Sequence, residues 1–163
     1  MFKTLTLSLV ALALMGTAAA HAQTAPTPIV IYNDAVSDGW QSWSWAKVTM
    51  QVPAGNVQPI KVEGDPWSGL VLHHEPIYTK GYSKLTFYIN GGVDGGQSLA
   101  VKVTIGGKAV DSNYLIQPKA KTWTAVTVLL KDIGAQDVNI DGILIQGQAE
   151  AYKPYYIDKI QIE

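Results

Sequence analysis

Three tryptophans within six residues, in Gly39-Trp40-Gln41-Ser42-Trp43-Ser44-Trp45, are the strongest chemical signal in this chain. Five Trp and eight Tyr stand against two Phe, a bias toward rings that carry a polar handle. Ring faces of this kind stack on the C–H patches of pyranose rings, while amides and hydroxyls bond the sugar OH groups. Trp43 and Trp45 share one face of an extended segment, because side chains two apart on a strand point the same way. That face is either core, with both rings packed, or a stacking platform. Trp40 and Trp67 lie beside turns, where a ring is expected to be accessible.

Other chemistry is thinner. His73-His74-Glu75 is the one cluster that looks like metal chemistry. Adjacent strand residues point to opposite faces, so the two imidazoles cannot easily chelate one ion. The ordinary reading is one histidine hydrogen-bonded under a loop and the other exposed on a sheet face. With no Cys, disulfides, thiol nucleophiles and Cys-ligated zinc are excluded together. Neither a G-x-S-x-G elbow nor an H-E-x-x-H helix occurs. The glycine-rich residues 90–96 link two strands instead of opening a helix, which removes the phosphate-loop reading. Paired carboxylates could hydrolyse a glycosidic bond, but Asp65, Asp94, Asp111, Asp132, Asp137 and Asp141 fall mostly in turns, where such groups bond local backbone. Charged residues make up 15%, the formal net charge is −1 and no basic run exists; nucleic-acid or anionic-membrane binding is not expected.

The elements that must position these residues read as short strands. Residues 1–22 have the layout of a cleaved secretory signal: Lys3, an apolar run over 5–15, and Ala20-His21-Ala22 as an A-x-A cleavage site. The apolar run is too short to span a bilayer, and no other stretch is long and apolar enough. Export, extracellular or periplasmic, follows. Residues 23–28 (QTAPTP) read as a short linker, since Pro26 and Pro28 block pairing. From residue 29 to 163 one domain is expected. Its strand-like runs are 29–32, 47–52, 60–63, 69–74, 84–90, 98–105, 113–116, 124–130, 142–146 and 155–162. Residues 98–105 alternate cleanly, which puts Leu99, Val101, Val103 and Ile105 inward and Ala100, Lys102 and Thr104 outward. With turn residues between the runs and no sustained helical period after residue 22, the fold class is all-β, a β-sandwich of about eight to ten antiparallel strands.

Several of these segments resemble secreted bacterial jelly-roll domains of the carbohydrate-binding-module type, the galactose-binding-like β-sandwiches. The resemblance rests on Ile31-Tyr32-Asn33-Asp34-Ala35, Gly39-Trp40, Trp43-Ser44-Trp45 and Leu70-Val71-Leu72-His73-His74. It continues through residues 85–92, Gly95-Gly96-Gln97, Trp123 and Tyr156-Ile157-Asp158-Lys159-Ile160. It implies a jelly roll and a non-catalytic, lectin-like module for a polysaccharide or cell-surface glycan, contacted by Trp40, Trp43, Trp45, Trp67, His73, Gln97, Lys102 and Tyr114. It also implies one structural calcium between the first and last strands, with Asn33 or Asp34 and Asp158 as ligands; the alternative is that Asp158 bonds backbone N–H groups near Tyr32. A scaffold does not fix function. An extracellular matrix or envelope protein-interaction domain, or a small polysaccharide lyase or hydrolase, are the other readings.

Overall fold

A computed structural model describes residues 26–163. The expected secretory signal at 1–22 and residues 23–25 of the expected linker lie outside the described residues. Pro26 to Pro28 are unpaired and irregular, and the first strand begins at Ile29.

Among the described residues, twelve strands form two six-stranded antiparallel sheets. The first sheet contains β1 (Ile29–Tyr32), β3 (Lys47–Thr49), β4 (Ile60–Gly64), β6 (Lys84–Asn90), β10 (Trp123–Leu129) and β12 (Tyr152–Ile162). Its spatial order is β10-β6-β12-β4-β3, with β1 on the edge of β12. The second contains β2 (Gln41–Ser42), β5 (Gly69–Tyr78), β7 (Leu99–Ile105), β8 (Lys108–Ala109), β9 (Leu115–Ile116) and β11 (Asn139–Gly147). Its order is β2-β5-β11-β7-β8, with β9 on β7. No helix among the described residues is long and apolar enough to cross a membrane.

The two sheets bury their facing sides on each other, as a β-sandwich requires. Leu85, Phe87, Ile89, Ile157 and Ile160 come from the first sheet and Leu70, Leu72, Val101, Val103, Ile143 and Ile145 from the second, all essentially without solvent contact. Each set follows the period-2 alternation of its strand, except in β12, where a bulge sets Ile157 and Ile160 three residues apart. The alternation in β7 fails at one position. Ile105, expected inward, is exposed; it is the last residue of β7 and pairs with Lys108 at the mouth of the Gly106-Gly107 turn. Asp141, read as a turn acid, belongs instead to β11. It is buried and accepts hydrogen bonds from Thr104 Oγ1 and the Gly107 amide, so it ties that turn to the sheet. The two-residue strands β2 and β8 were too short to leave a periodic signal.

Trp40 is a correction of greater consequence. Only 7% exposed, it packs in the core with its ring 5.1 Å from that of His74. The turn before it makes this placement: Gly39 has φ +81°, and a Cβ there would fall 2.5 Å from His74 Nε2. Replacing Trp40 by Ala should cost roughly 3–5 kcal/mol, read as a lowered urea midpoint. A loss below about 1 kcal/mol would show that the ring is not part of the core.

Buried phenols give a second expectation. Burial pushes the Tyr155 hydroxyl well above its ordinary range, and that oxygen has no hydrogen-bond partner. Burial also raises Tyr32 and Tyr152. Groups raised in this way contribute stability that is complete below the unfolded tyrosine value of about 10 and is lost as pH climbs through the folded values. The fold should therefore weaken steeply above about pH 10. Tyr155→Phe removes an unpaired buried hydroxyl, so it should gain about 1 kcal/mol at neutral pH; a clear loss of stability would contradict this account.

Candidate functional site

The pairing of β2 with β5 decides which way the tryptophan cluster faces. Gln41 lies opposite His73 and Ser42 opposite Leu72, and the Trp43 and Trp45 amides donate to the carbonyls of Val71 and Gly69. Leu70 and Leu72 occupy the core, so Gly69, Val71 and His73 must point away from it. Directly opposed residues share a face, and Trp43 and Trp45 therefore stand on the outer side of the second sheet. Both are 55% exposed.

Each ring is held. Trp43 stacks on His73 with centroids 3.5 Å apart and planes 18° from parallel, and its Nε1–H donates to Gln41 Oε1 at 3.4 Å. The indole N–H of Trp45 donates to the Trp67 carbonyl at 3.0 Å. Gln146 donates to that same carbonyl. Below Trp45 lies Gly69, where a Cβ would come within 2.6 Å of Leu144 and 3.2 Å of the indole. The missing side chain is what lets the ring approach the sheet. Trp67, at φ +63° in the turn before β5, is 54% exposed. Val71, Leu144 and Ala100, although on the outer side, are almost fully covered and form an apolar floor.

The same face becomes polar toward its other edge. There a hollow of about 340 Å³ is lined by Ala100, Lys102, Asp111, Asn113, Leu115 and Gln148, with Ser112 beside them. The arrangement is an aromatic rail along one edge and amide, ammonium and carboxylate groups along the other. Trp43 and Trp45 are two strand residues apart, about 7 Å, a spacing on the scale of one sugar ring.

Of the residues assigned to this face from sequence, Trp43, Trp45, Trp67, His73 and Lys102 lie on it. Three do not. Trp40 is core, as described above. Gln97 is buried, its amide donating to the carbonyls of Gly91, Lys153 and Pro154, so it braces the glycine loop. Tyr114 shares the inward parity of Ile116 through the β7–β9 pairing and sends its hydroxyl across to the Thr127 carbonyl of β10. Asn113, Leu115 and Gln148 were missed because loops and short edge strands carry no pattern that assigns a face, whereas Gln146, in the long strand β11 opposite Ala100, follows an alternation that could have placed it. His73 and His74 do point to opposite sides: His74 bonds the Glu75 carbonyl at 2.7 Å beneath Gly39.

The residues expected to hold calcium meet where β1 runs beside β12. Asp158 is buried, and its Oδ1 accepts from the amides of Asp34 at 3.1 Å and Lys159 at 2.8 Å. Asp34 Oδ1 accepts from the Gln58 amide, and Lys159 Nζ donates to Asn33 Oδ1 at 3.1 Å. Asp158 Oδ2 is buried without a partner. Among the described residues no three His, Cys, Asp or Glu side chains converge on one point, so any ion here would depend on two carboxylates and backbone carbonyls.

Solved structures of family 29 carbohydrate-binding modules superpose on this chain. One variant matches with TM-score 0.62 and 14% identity, over 85% of this chain and 92% of its own. The fold is that of the family 29 modules. A variant complexed with mannohexaose matches at 0.61 and 14% identity, covering 83% of this chain and 89% of that one. Another, complexed with cellulohexaose, matches at 0.60 and 15%, with the same coverage. An endoglucanase of Dictyostelium discoideum is 28% identical over 142 residues, 80% of this chain and 20% of that protein. The chain thus spans about a fifth of that relative's length. No family model matches the chain.

Because the rings of Trp43 and Trp45 are exposed, they contribute little to the stability of the fold. Trp43→Ala and Trp45→Ala should each cost about 1 kcal/mol or less, well below Trp40→Ala. If either approaches the Trp40 value in the same urea titration, that ring is core and the platform is wrongly assigned.

Proposed function

We propose that this protein is a secreted, non-catalytic carbohydrate-binding module that holds a polysaccharide or cell-surface glycan on the outer face of its second sheet. The observation that carries this reading is the pair of exposed, fixed rings Trp43 and Trp45 beside a hydrogen-bonding strip. Ring faces cover the apolar side of a pyranose, and Lys102, Asn113, Gln146 and Gln148 can exchange water for sugar hydroxyls. Rings already locked by His73 and the Trp67 carbonyl lose little freedom on binding. Two findings support the non-catalytic part: the fold is shared with binding modules, and the carboxylate of Asp141 on this face is buried and saturated by Thr104 and Gly107. The amino-terminal pattern of residues 1–22 supports export.

Hydroxyl-for-water exchange on an open face yields a small net gain, so dissociation constants should lie between millimolar and micromolar, about −4 to −8 kcal/mol. Titration calorimetry with cellohexaose and mannohexaose tests this. Trp43→Ala and Trp45→Ala should each weaken binding at least tenfold with the fold intact. Unchanged affinity in both would remove the platform from the site.

The second part of the proposal is a structural calcium that meets the unpartnered Asp158 Oδ2, with Asp34 as the other carboxylate and Asn33 beside it. A cation there would fasten β1 to β12. Binding only the folded state, it would stabilise by about 3 kcal/mol when free calcium exceeds the dissociation constant a hundredfold. Melting curves in chelator and in millimolar calcium should then separate, and Asp158→Asn should erase the difference. Coincident wild-type curves would reject the ion.

A further inference from the structure

The outer side of the first sheet carries a second ring pair. Phe87 and Ile89 of β6 are core, so Tyr88 points outward. Trp123 lies opposite Asn90, on the same side. Tyr88 is 46% exposed and Trp123 38%. With Val57 they border an apolar hollow of about 170 Å³ against Lys159 and Asp158. A polar groove of about 390 Å³ runs on from it, sharing Tyr88 and Lys159.

The groove floor hydrogen-bonds, and of its three charged groups Lys84 and Glu163 pair. Glu163 accepts from Thr86 Oγ1 at 2.8 Å and Gln161 Nε2 at 3.3 Å, with Lys84 Nζ 3.6 Å away. Lys159 bonds Asn33 across the groove. A bulge shapes this floor: Asp158 pairs with Tyr88 and Gln161 with Thr86, leaving one extra residue in β12. Lys159 sits in that bulge at φ +51°, a left-handed conformation that costs free energy in a residue with a side chain. Bulges of this type re-aim side chains at the edges of functional surfaces.

We propose that this face is a second glycan-binding surface, with Trp123 and Tyr88 stacking on a neutral oligosaccharide and Thr86, Gln161 and the Lys159–Asn33 pair bonding its hydroxyls. The inference rests on the glycan reading of the preceding subsection and adds valency to it. The two ring pairs stand on opposite sides of a sandwich whose sheets pack about 10 Å apart, so one chain lying along one face cannot touch the other. The module then holds two chains at once and cross-links them. A neutral sugar is the occupant that fits, because Lys84 is paired with Glu163 and the single further ammonium, on Lys159, is too little charge to hold a polyanion, while hydroxyl and amide groups suit a polyol.

The test uses the whole protein with cellohexaose, mannohexaose and a soluble glucomannan. In an NMR titration of the wild type, indole N–H signals of both Trp43 or Trp45 and Trp123 should shift, and calorimetry should return two oligosaccharides per protein. Trp123→Ala combined with Tyr88→Ala should leave one site and abolish glucomannan precipitation. Trp43→Ala combined with Trp45→Ala should leave the other site. The wild-type titration needs no variant, so a variant that fails to fold does not disable the test. A stoichiometry of one, with the Trp123 signal unmoved, overturns the second face and leaves the first intact. If neither hexaose moves any indole signal, both readings fall together.

Discussion

The inward burial of Leu70 and Leu72 is the constraint on which the site depends. A strand has two sides, and once those two leucines enter the core, Gly69, Val71 and His73 have no alternative to the outer face. The β2–β5 register transmits that choice to the neighbouring chain, where Trp43 and Trp45 are carried outward although they contact the core hardly at all. A slip of one residue would turn both rings and Gln41 inward and bring Ser42 and Ser44 to the outer side. The energy that prevents the slip comes from aliphatic burial, with each leucine contributing roughly 1.5–3 kcal/mol, and not from the aromatic residues that the slip would misplace.

An outward ring is not yet a firm platform. Val71, Leu144 and Ala100 give this face an apolar floor, and Gly69 removes the one Cβ that would hold Trp45 away from it. Hydrogen bonds and stacking then fix orientation: His73 under Trp43, and the Trp67 carbonyl at the Trp45 nitrogen. The same carbonyl takes the Gln146 amide, so the aromatic rail and the polar strip share an anchor. Displacing Trp67 would disturb both.

At the opposite sheet, β12 has a comparable organising role. It pairs with β6 along one edge and with β4 and then β1 along the other, so the two ends of the domain close on one strand. Its bulge follows Asp158, which lies on the side of Tyr88 and is covered there by the segment of Asp34, and turns Lys159 toward Asn33. One irregularity therefore joins the segment after β1 to β12 and shapes the groove beside Tyr88 and Trp123. Both outer faces owe their chemistry to the same device, a strand whose inner residues are chosen for packing and whose outer ones remain free to vary.

Much of this was legible in the sequence. Alternation in residues 84–90 and 99–103, turn glycines between runs, and the absence of a helical period determined an all-β sandwich, and the opposite orientations of His73 and His74 follow from strand geometry alone. Lys102 could be placed outward by the same logic. Periodicity gives alternation but not its phase where aromatic residues occupy both parities, as at 40, 43 and 45. There the tertiary structure decided: Trp40 enters the core because Gly39 bends the chain closely over His74, while Trp43 and Trp45 follow the register of a distant strand. Tyr114 and Gln97 were indistinguishable from surface residues by type. Only their long-range partners, the Thr127 carbonyl across the sandwich and the carbonyls closing the glycine loop, turned them inward. Local residue types determine which segments become strands; how those strands pair, and which side meets the solvent where alternation is broken, depends on partners distant in the chain.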